Sequence, residues 1–190
     1  MKKMLMTIAI AASVLTCHAG EIVLTAGDKA ANYGFNFDNG QEFPGATGKM
    51  SVDADGSLKI EGDFTKGGAY VTVMKKVEGD ISEISFQVKF PDSKFIVFRA
   101  VDSGGQAHQF KLKLTPSADW QTVTFNMSSY LADKAKSPEA SKVMKYEPMG
   151  GAKDGTWHGP AKKFCFYLNK GNLESKLPVA WFKDVKLISK

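Results

Sequence analysis

Ile84-Ser85-Phe86-Gln87-Val88-Lys89-Phe90 sets an apolar residue at every second position and a polar one between. Successive side chains of a strand point to opposite faces, so this run has one face for a core and one for water. The pattern returns where Phe110, Leu112 and Leu114 alternate with Gln109, Lys111 and Lys113, and Trp120 to Met127 has a Thr-rich strand composition. Turn formers punctuate these runs: Asp53-Ala54-Asp55-Gly56, Lys66-Gly67-Gly68, Glu78-Gly79-Asp80, Pro91-Asp92-Ser93 and Asp102-Ser103-Gly104-Gly105. Short strands with wet outer faces and no helix-period stretch between them predict an all-β fold, two antiparallel sheets packed as a β-sandwich. Lys163 to Leu168 and Val179 to Ile188 read as closing strands. Ser128 to Lys145, interrupted by Pro138, reads as a long excursion with at most a short helix.

Outward from this core, residues 1–19 read as a secretory signal peptide. Lys2 and Lys3 precede an apolar stretch from Met4 to Leu15, and Cys17-His18-Ala19 suits cleavage before Gly20. That stretch is too short to span a bilayer and no later one is longer, so the expectation is a soluble mature protein, periplasmic or extracellular. Lipid anchoring through Cys17 fits less well, because Thr16 stands where a small residue is needed. Residues 20–190 then form one β-sandwich domain, large enough to bury a core without disulfides. Residues 1–19 carry two Lys and no acid, so without them the net charge falls from +5 to +3. The Lys residues are scattered, which argues against a nucleic-acid partner. Cys165, left without a partner, is expected to pack as a small hydrophobe.

The order of several segments is similar to the galactose-binding-like (jelly-roll) carbohydrate-binding modules that accompany bacterial polysaccharide-degrading enzymes. The residues that carry the resemblance are Glu42-Phe43-Pro44-Gly45-Ala46, Asp63 to Tyr70, Arg99 to Gln109, Asp119-Trp120-Gln121, Gly150 to Pro160 and Trp181-Phe182-Lys183-Asp184-Val185. It implies a non-catalytic module that holds a sugar chain, often with a structural calcium ion. The paired acids common before the last apolar run of such modules are here Lys183-Asp184, and the expectation is a module without an attached catalytic domain.

Candidate site residues come from chemistry as well as resemblance. Trp157-His158 lies in a Gly-rich loop, where an exposed indole offers a flat platform for a pyranose and His158 a hydrogen bond; the alternative is a ring that plugs the sandwich end. Arg99 is the only Arg beside 24 Lys and suits a planar contact to a carboxylate or a uronic acid, or an internal pair with Asp102 or a glutamate that pins the hairpin. His108 and Gln106 lie across the same hairpin turn and are expected beside it as polar contacts, with Tyr70 as a second platform. Asp38 and Asp184 are the expected calcium ligands, or else two surface turn residues. The resulting expectation is a monomeric exported module that binds a poly- or oligosaccharide and serves a separate glycosidase. One alternative is a small polysaccharide lyase using Arg99, Gln106, His108 and a Tyr on uronate polymers. The other is an envelope domain that binds protein.

Overall fold

The computed structural model describes residues 20–189, so the expected signal peptide and Cys17 lie outside the described residues. Twelve strands form there: β1 (Glu21–Val23), β2 (Asn36–Asp38), β3 (Thr47–Val52), β4 (Leu58–Asp63), β5 (Tyr70–Gly79), β6 (Glu83–Phe90), β7 (Phe95–Asp102), β8 (Ala107–Lys113), β9 (Ser117–Phe125), β10 (Val143–Met149), β11 (Ala161–Asn169) and β12 (Val179–Ile188). The first sheet runs β3-β4-β12-β6-β9, with β1 also paired to β12; the second runs β10-β8-β7-β11-β5-β2. Every pairing is antiparallel. This is the β-sandwich that the alternating runs predict.

The alternation becomes burial directly. In β6 Ile84, Phe86, Val88 and Phe90 are buried, and the residues between them are partly exposed. Facing them from the second sheet are Phe98, Phe110, Phe164 and Phe166, all fully buried. The sheets meet through rings: Phe166 of β11 stacks on Phe182 of β12 with centroids 4.1 Å apart, and Phe98 of β7 meets Phe125 of β9 at 6.0 Å. Inner faces interdigitating over a core about 10 Å thick are what packed sheets require. β11 differs, because its outward Cys165 and Tyr167 are buried too, in a small second cluster with Val97, flanked by Tyr70 and Met74. Cys165 thus packs as a small hydrophobe, and burial pushes its thiol up to about 11.

Three local features depart from a plain strand reading. The segment from Ser128 to Lys145 holds a six-residue helix, Met127–Ala132, whose first turn is capped by Asn126 accepting from the Ser129 N–H at 2.8 Å. The same segment then carries a short 3-10 turn from Pro138 and the start of β10, a strand the periodicity had not predicted. In β12 Phe182 and Val185 both face the core, so one extra residue must be absorbed; Asp184 absorbs it at φ 51°, where the register shifts. The chain ends are tied together by this sheet. Glu21 pairs with Ile188, and Gly20 and Ser189 exchange hydrogen bonds at 2.8 Å.

Candidate functional site

One residue from each of five adjacent strands forms a row on the outer face of the second sheet. Gln109 of β8 donates its Nε2 to Glu147 of β10 at 3.0 Å, and Arg99 of β7 donates its Nε to Gln109 Oε1 at 2.7 Å. Arg99 Nη1 donates to the Tyr167 hydroxyl of β11 at 2.8 Å, and the guanidinium carbon lies 4.1 Å from that ring's centroid. Tyr167 in turn meets Tyr70 of β5 edge to face, with centroids 5.2 Å apart. Register explains the line: Arg99 pairs with Gln109 and Gln109 with Glu147, so side chains on the outer face stand in file.

A loop extends the row past the sheet edge. Gly45 and Gly68 both take positive φ, and a Cβ on Gly68 would stand 2.3 Å from the Ala46 N, so only glycine lets the 40–46 loop close on the turn before β5. That closure sets Glu42 to accept from the Tyr70 hydroxyl and brings Phe43 within 6.3 Å of the Tyr70 ring. Phe43 is 53% exposed, one of the few large apolar side chains left in water. Beside the row lies a depression of about 330 Å³ bounded by Met74, Arg99, Met149, Lys163, Cys165 and Tyr167.

Burial and one ion pair set the electrostatics of the row. Burial pushes the Tyr167 phenol up to about 12, so it stays protonated at neutral pH. The hydrogen bond from Lys145, 2.6 Å away, holds Glu147 below the usual carboxylate range. The row therefore offers apolar rings, a fixed cation, an amide and an ionised acid side by side, the groups that take sugar rings and hydroxyls. Its two carboxylates sit at opposite ends: Glu147 and Tyr70, the partner of Glu42, are four strand spacings of about 4.8 Å apart. Glycosidase carboxyl pairs stand only about 5 to 9.5 Å apart.

The other expected sugar contacts lie elsewhere. His108 and Gln106 are fully buried on the core side of the β7–β8 hairpin, opposite Arg99, so the expectation that they touch sugar beside it is corrected. Alternation is the cause: Phe110 faces the core, and His108 stands two residues before it. Both bind Asp102, itself fully buried, which accepts from the Gln106 N–H at 2.9 Å and the His158 N–H at 3.0 Å and lies 3.3 Å from His108 Nε2. Gln106 also donates to the Thr156 carbonyl at 2.8 Å, and His108 Nδ1 meets the Tyr146 hydroxyl at 2.9 Å. This knot pins the Gly150–Pro160 loop to the hairpin. Burial opposes the charge on Asp102, but the two backbone N–H groups and His108 together outweigh it and hold its carboxyl below the usual range. Burial also keeps His108 neutral despite Asp102.

Trp157 is the anchor of that loop, partly buried against the core with its ring 5.1 Å from His108. His158 reaches solvent, where its Nε2 pairs with Asp154 at 3.0 Å beside a depression of about 490 Å³. The structure thus leaves Arg99 and Tyr70 together on the open row and separates them from Trp157, His158, His108 and Gln106. A lyase site built from Arg99, Gln106 and His108 cannot assemble, since the sheet lies between them.

Asp38 and Asp184 are not brought together either. Asp38 sits on β2 at the edge of the second sheet and accepts from the Gly40 N–H at 2.6 Å, a local turn. Asp184 is the bulge residue of β12, inside the first sheet, and accepts from Gln87 at 2.8 Å. They do not fit a shared calcium ion, and no group of three or more His, Cys, Asp or Glu arranged to hold a metal occurs among the described residues.

Sequence reasoning missed Tyr167, Gln109, Glu147, Glu42 and Phe43 as members of one surface. Tyr167 alternates with Phe166 and Leu168, a usable signal. Glu147 lies on the strand that periodicity did not show.

No family model matches the sequence, and no curated protein sequence matches it. The fold, in contrast, has close counterparts. The family 11 carbohydrate-binding module of the cellulosomal cellulase Lic26A-Cel5E of Clostridium thermocellum is similar with a TM-score of 0.58 and 16% identity, over 91% of this chain and 95% of that one. A family 29 carbohydrate-binding module gives 0.51 at 13% identity, over 90% and 89%. A part of the agarase AgWH50C gives 0.52 at 15% identity, over 90% of this chain and 25% of the enzyme. The chain is thus a two-sheet antiparallel β-sandwich whose fold is similar to that of these modules. No helix among the described residues is long and apolar enough to cross a membrane.

Proposed function

We propose that the protein is an exported, non-catalytic carbohydrate-binding domain that holds a glycan along the row from Phe43 through Tyr70, Tyr167, Arg99 and Gln109 to Glu147. The single observation that carries this reading is the row itself, in which each polar group is held by its neighbour before any ligand arrives. Such preorganisation lowers the ordering cost of binding a flexible polymer. The sandwich modules to which the fold is similar are carbohydrate-binding by their descriptions. Export rests on the leader-like residues 1–19. The domain acts as a monomer in the service of a separate glycosidase.

Affinity electrophoresis of the full mature chain through gels containing plant, algal or host polysaccharides tests this. Arg99→Ala and Tyr70→Ala should each weaken retention about tenfold, the loss of a charge-assisted contact or of a stacked ring. Trp157→Phe should leave it nearly unchanged. Absence of retention on every polymer overturns the reading.

A further inference from the structure

The outer face of the first sheet carries a second file of side chains, on which the proposal above does not depend. Trp181 of β12 pairs with Lys59 of β4 on one side and with Lys89 of β6 on the other, and Trp120 of β9 follows beyond Lys89. Cation and indole therefore alternate across four strands. Lys89 Nζ lies 4.4 Å and Lys183 Nζ 4.2 Å from the Trp120 ring centroid, and Lys59 Nζ 5.8 Å from that of Trp181. Trp181 is fixed by its Nε1 donating to Asp53 at 3.0 Å.

Charge separates these lysines. Lys59 has a carboxylate partner, Glu61 at 3.3 Å, whereas neither Lys89 nor Lys183 has one within ion-pair distance among the described residues. The one acid next to Lys183 in sequence, Asp184, is engaged by Gln87. Two ammonium groups thus converge on one indole, and Asp55, the acid that feels the charge of both, already accepts two hydrogen bonds from Ser57. Each exposed cation–π contact is worth about 0.5–1 kcal/mol, and the two like charges oppose one another in making it. An anionic group bridging both would gain two charge-assisted hydrogen bonds, while the apolar face of the sugar that bears it lies on the ring.

We propose that this face binds an anionic glycan, with Trp120 as the platform and Lys89 and Lys183 taking a sulfate or carboxylate. A nucleic acid is the poorer fit. Its backbone presents a charge at every nucleotide, and the cations here are two lysines with Asp55 near both and with Asp53 and Glu61 held by the adjoining Trp181 and Lys59.

The test is affinity electrophoresis of the mature chain in gels containing a sulfated galactan, polygalacturonate or a neutral galactan, at low and high salt. Retention on one or both anionic polymers should be salt-sensitive and fall about tenfold or more in the Lys89→Gln/Lys183→Gln double variant, equivalent to losing about 1.4 kcal/mol. Which anionic gel retains the chain assigns sulfate or carboxylate. In a Trp157→Phe/Trp181→Phe protein, Trp120 emission should shift on adding the retained polymer. The proposal is overturned by equal retention of parent and double variant, by retention lost in Tyr70→Ala instead, by no retention on either anionic gel, or by tighter binding to single-stranded DNA. Thermal unfolding of the double variant checks that it folds.

Discussion

The β7–β8 hairpin supports two hydrogen-bonded networks, one on each face, and they are built on opposite terms. Outward, Arg99 and Gln109 join a file in which Tyr70, Glu147 and they themselves are partly open to water, Tyr167 is covered by its neighbours, and the ends, Phe43 and Lys145, are exposed. Inward, Asp102, Gln106 and His108 have no exposed surface, and they bond to one another, to the Tyr146 hydroxyl and to the backbone of the loop they fasten. Both sets contain the residue types expected of a binding site. What separates them is access: a polar group whose bonds are all made inside the protein holds structure, and one whose bonds leave a side open can hold a ligand.

Removing the centre of the inner network should have the largest effect. Asp102→Ala leaves buried donors from Gln106, His108 and His158 without an acceptor and should destabilise the domain by about 3 kcal/mol or more. Urea unfolding measures this; a loss below about 1 kcal/mol would break the distinction between the networks, since surface changes fall in that range. Glycan retention of the folded fraction should not move.

Next in size is an acid dependence of stability that belongs to the inner network. His108 titrates below its ordinary 6.5 because of burial. Its contribution is therefore fully present above pH 6.5, and it shrinks as the pH falls and the unfolded chain takes up a proton the folded one resists. Asp102, held below its ordinary 3.8, adds a further loss as the pH falls past that value. Unfolding midpoints between pH 7.5 and 5 should decline in the parent and flatten in His108→Gln. An unchanged slope would assign the effect to other groups.

The smallest effect should come from the tip of the outer row. Phe43→Ala removes a half-exposed ring whose aromatic contact is the edge of Tyr70, so stability should stay within about 0.5 kcal/mol. Glycan retention should weaken only a few-fold, in line with about 0.5–1.5 kcal/mol for one aromatic contact. A stability loss as large as that of Asp102→Ala would make Phe43 a structural residue and remove it from the row.

Much of the architecture was legible in the alternation of Ile84 to Phe90 and of Phe110 to Leu114, because one wet and one dry face impose a period of two. β10 was not, for a physical reason: it is an edge strand, and Pro148 within it reads as a break, although an edge tolerates a residue without an N–H. Arg99 stood out by composition. His108 was misplaced although the means to place it were at hand, since carrying the alternation back from Phe110 turns it inward. Tyr167 was hidden by β11, whose run is apolar on both faces because a second cluster covers its outer side. Phe43 and Glu42 reach the row only through a loop closure between Gly45 and Gly68, a tertiary contact that no local pattern reveals.

The exchange of hydrogen bonds between Gly20 and Ser189 has a mechanical meaning. Residues 20 and 189 therefore meet at one corner of the sandwich, beside the β1–β12 pair. Tension applied between residues 20 and 189 loads the β1–β12 pair first. A chain re-joined at that corner and opened within the Gly-rich turn at Gly150-Gly151 would keep the strand pairings intact, which makes this fold a natural subject for circular permutation.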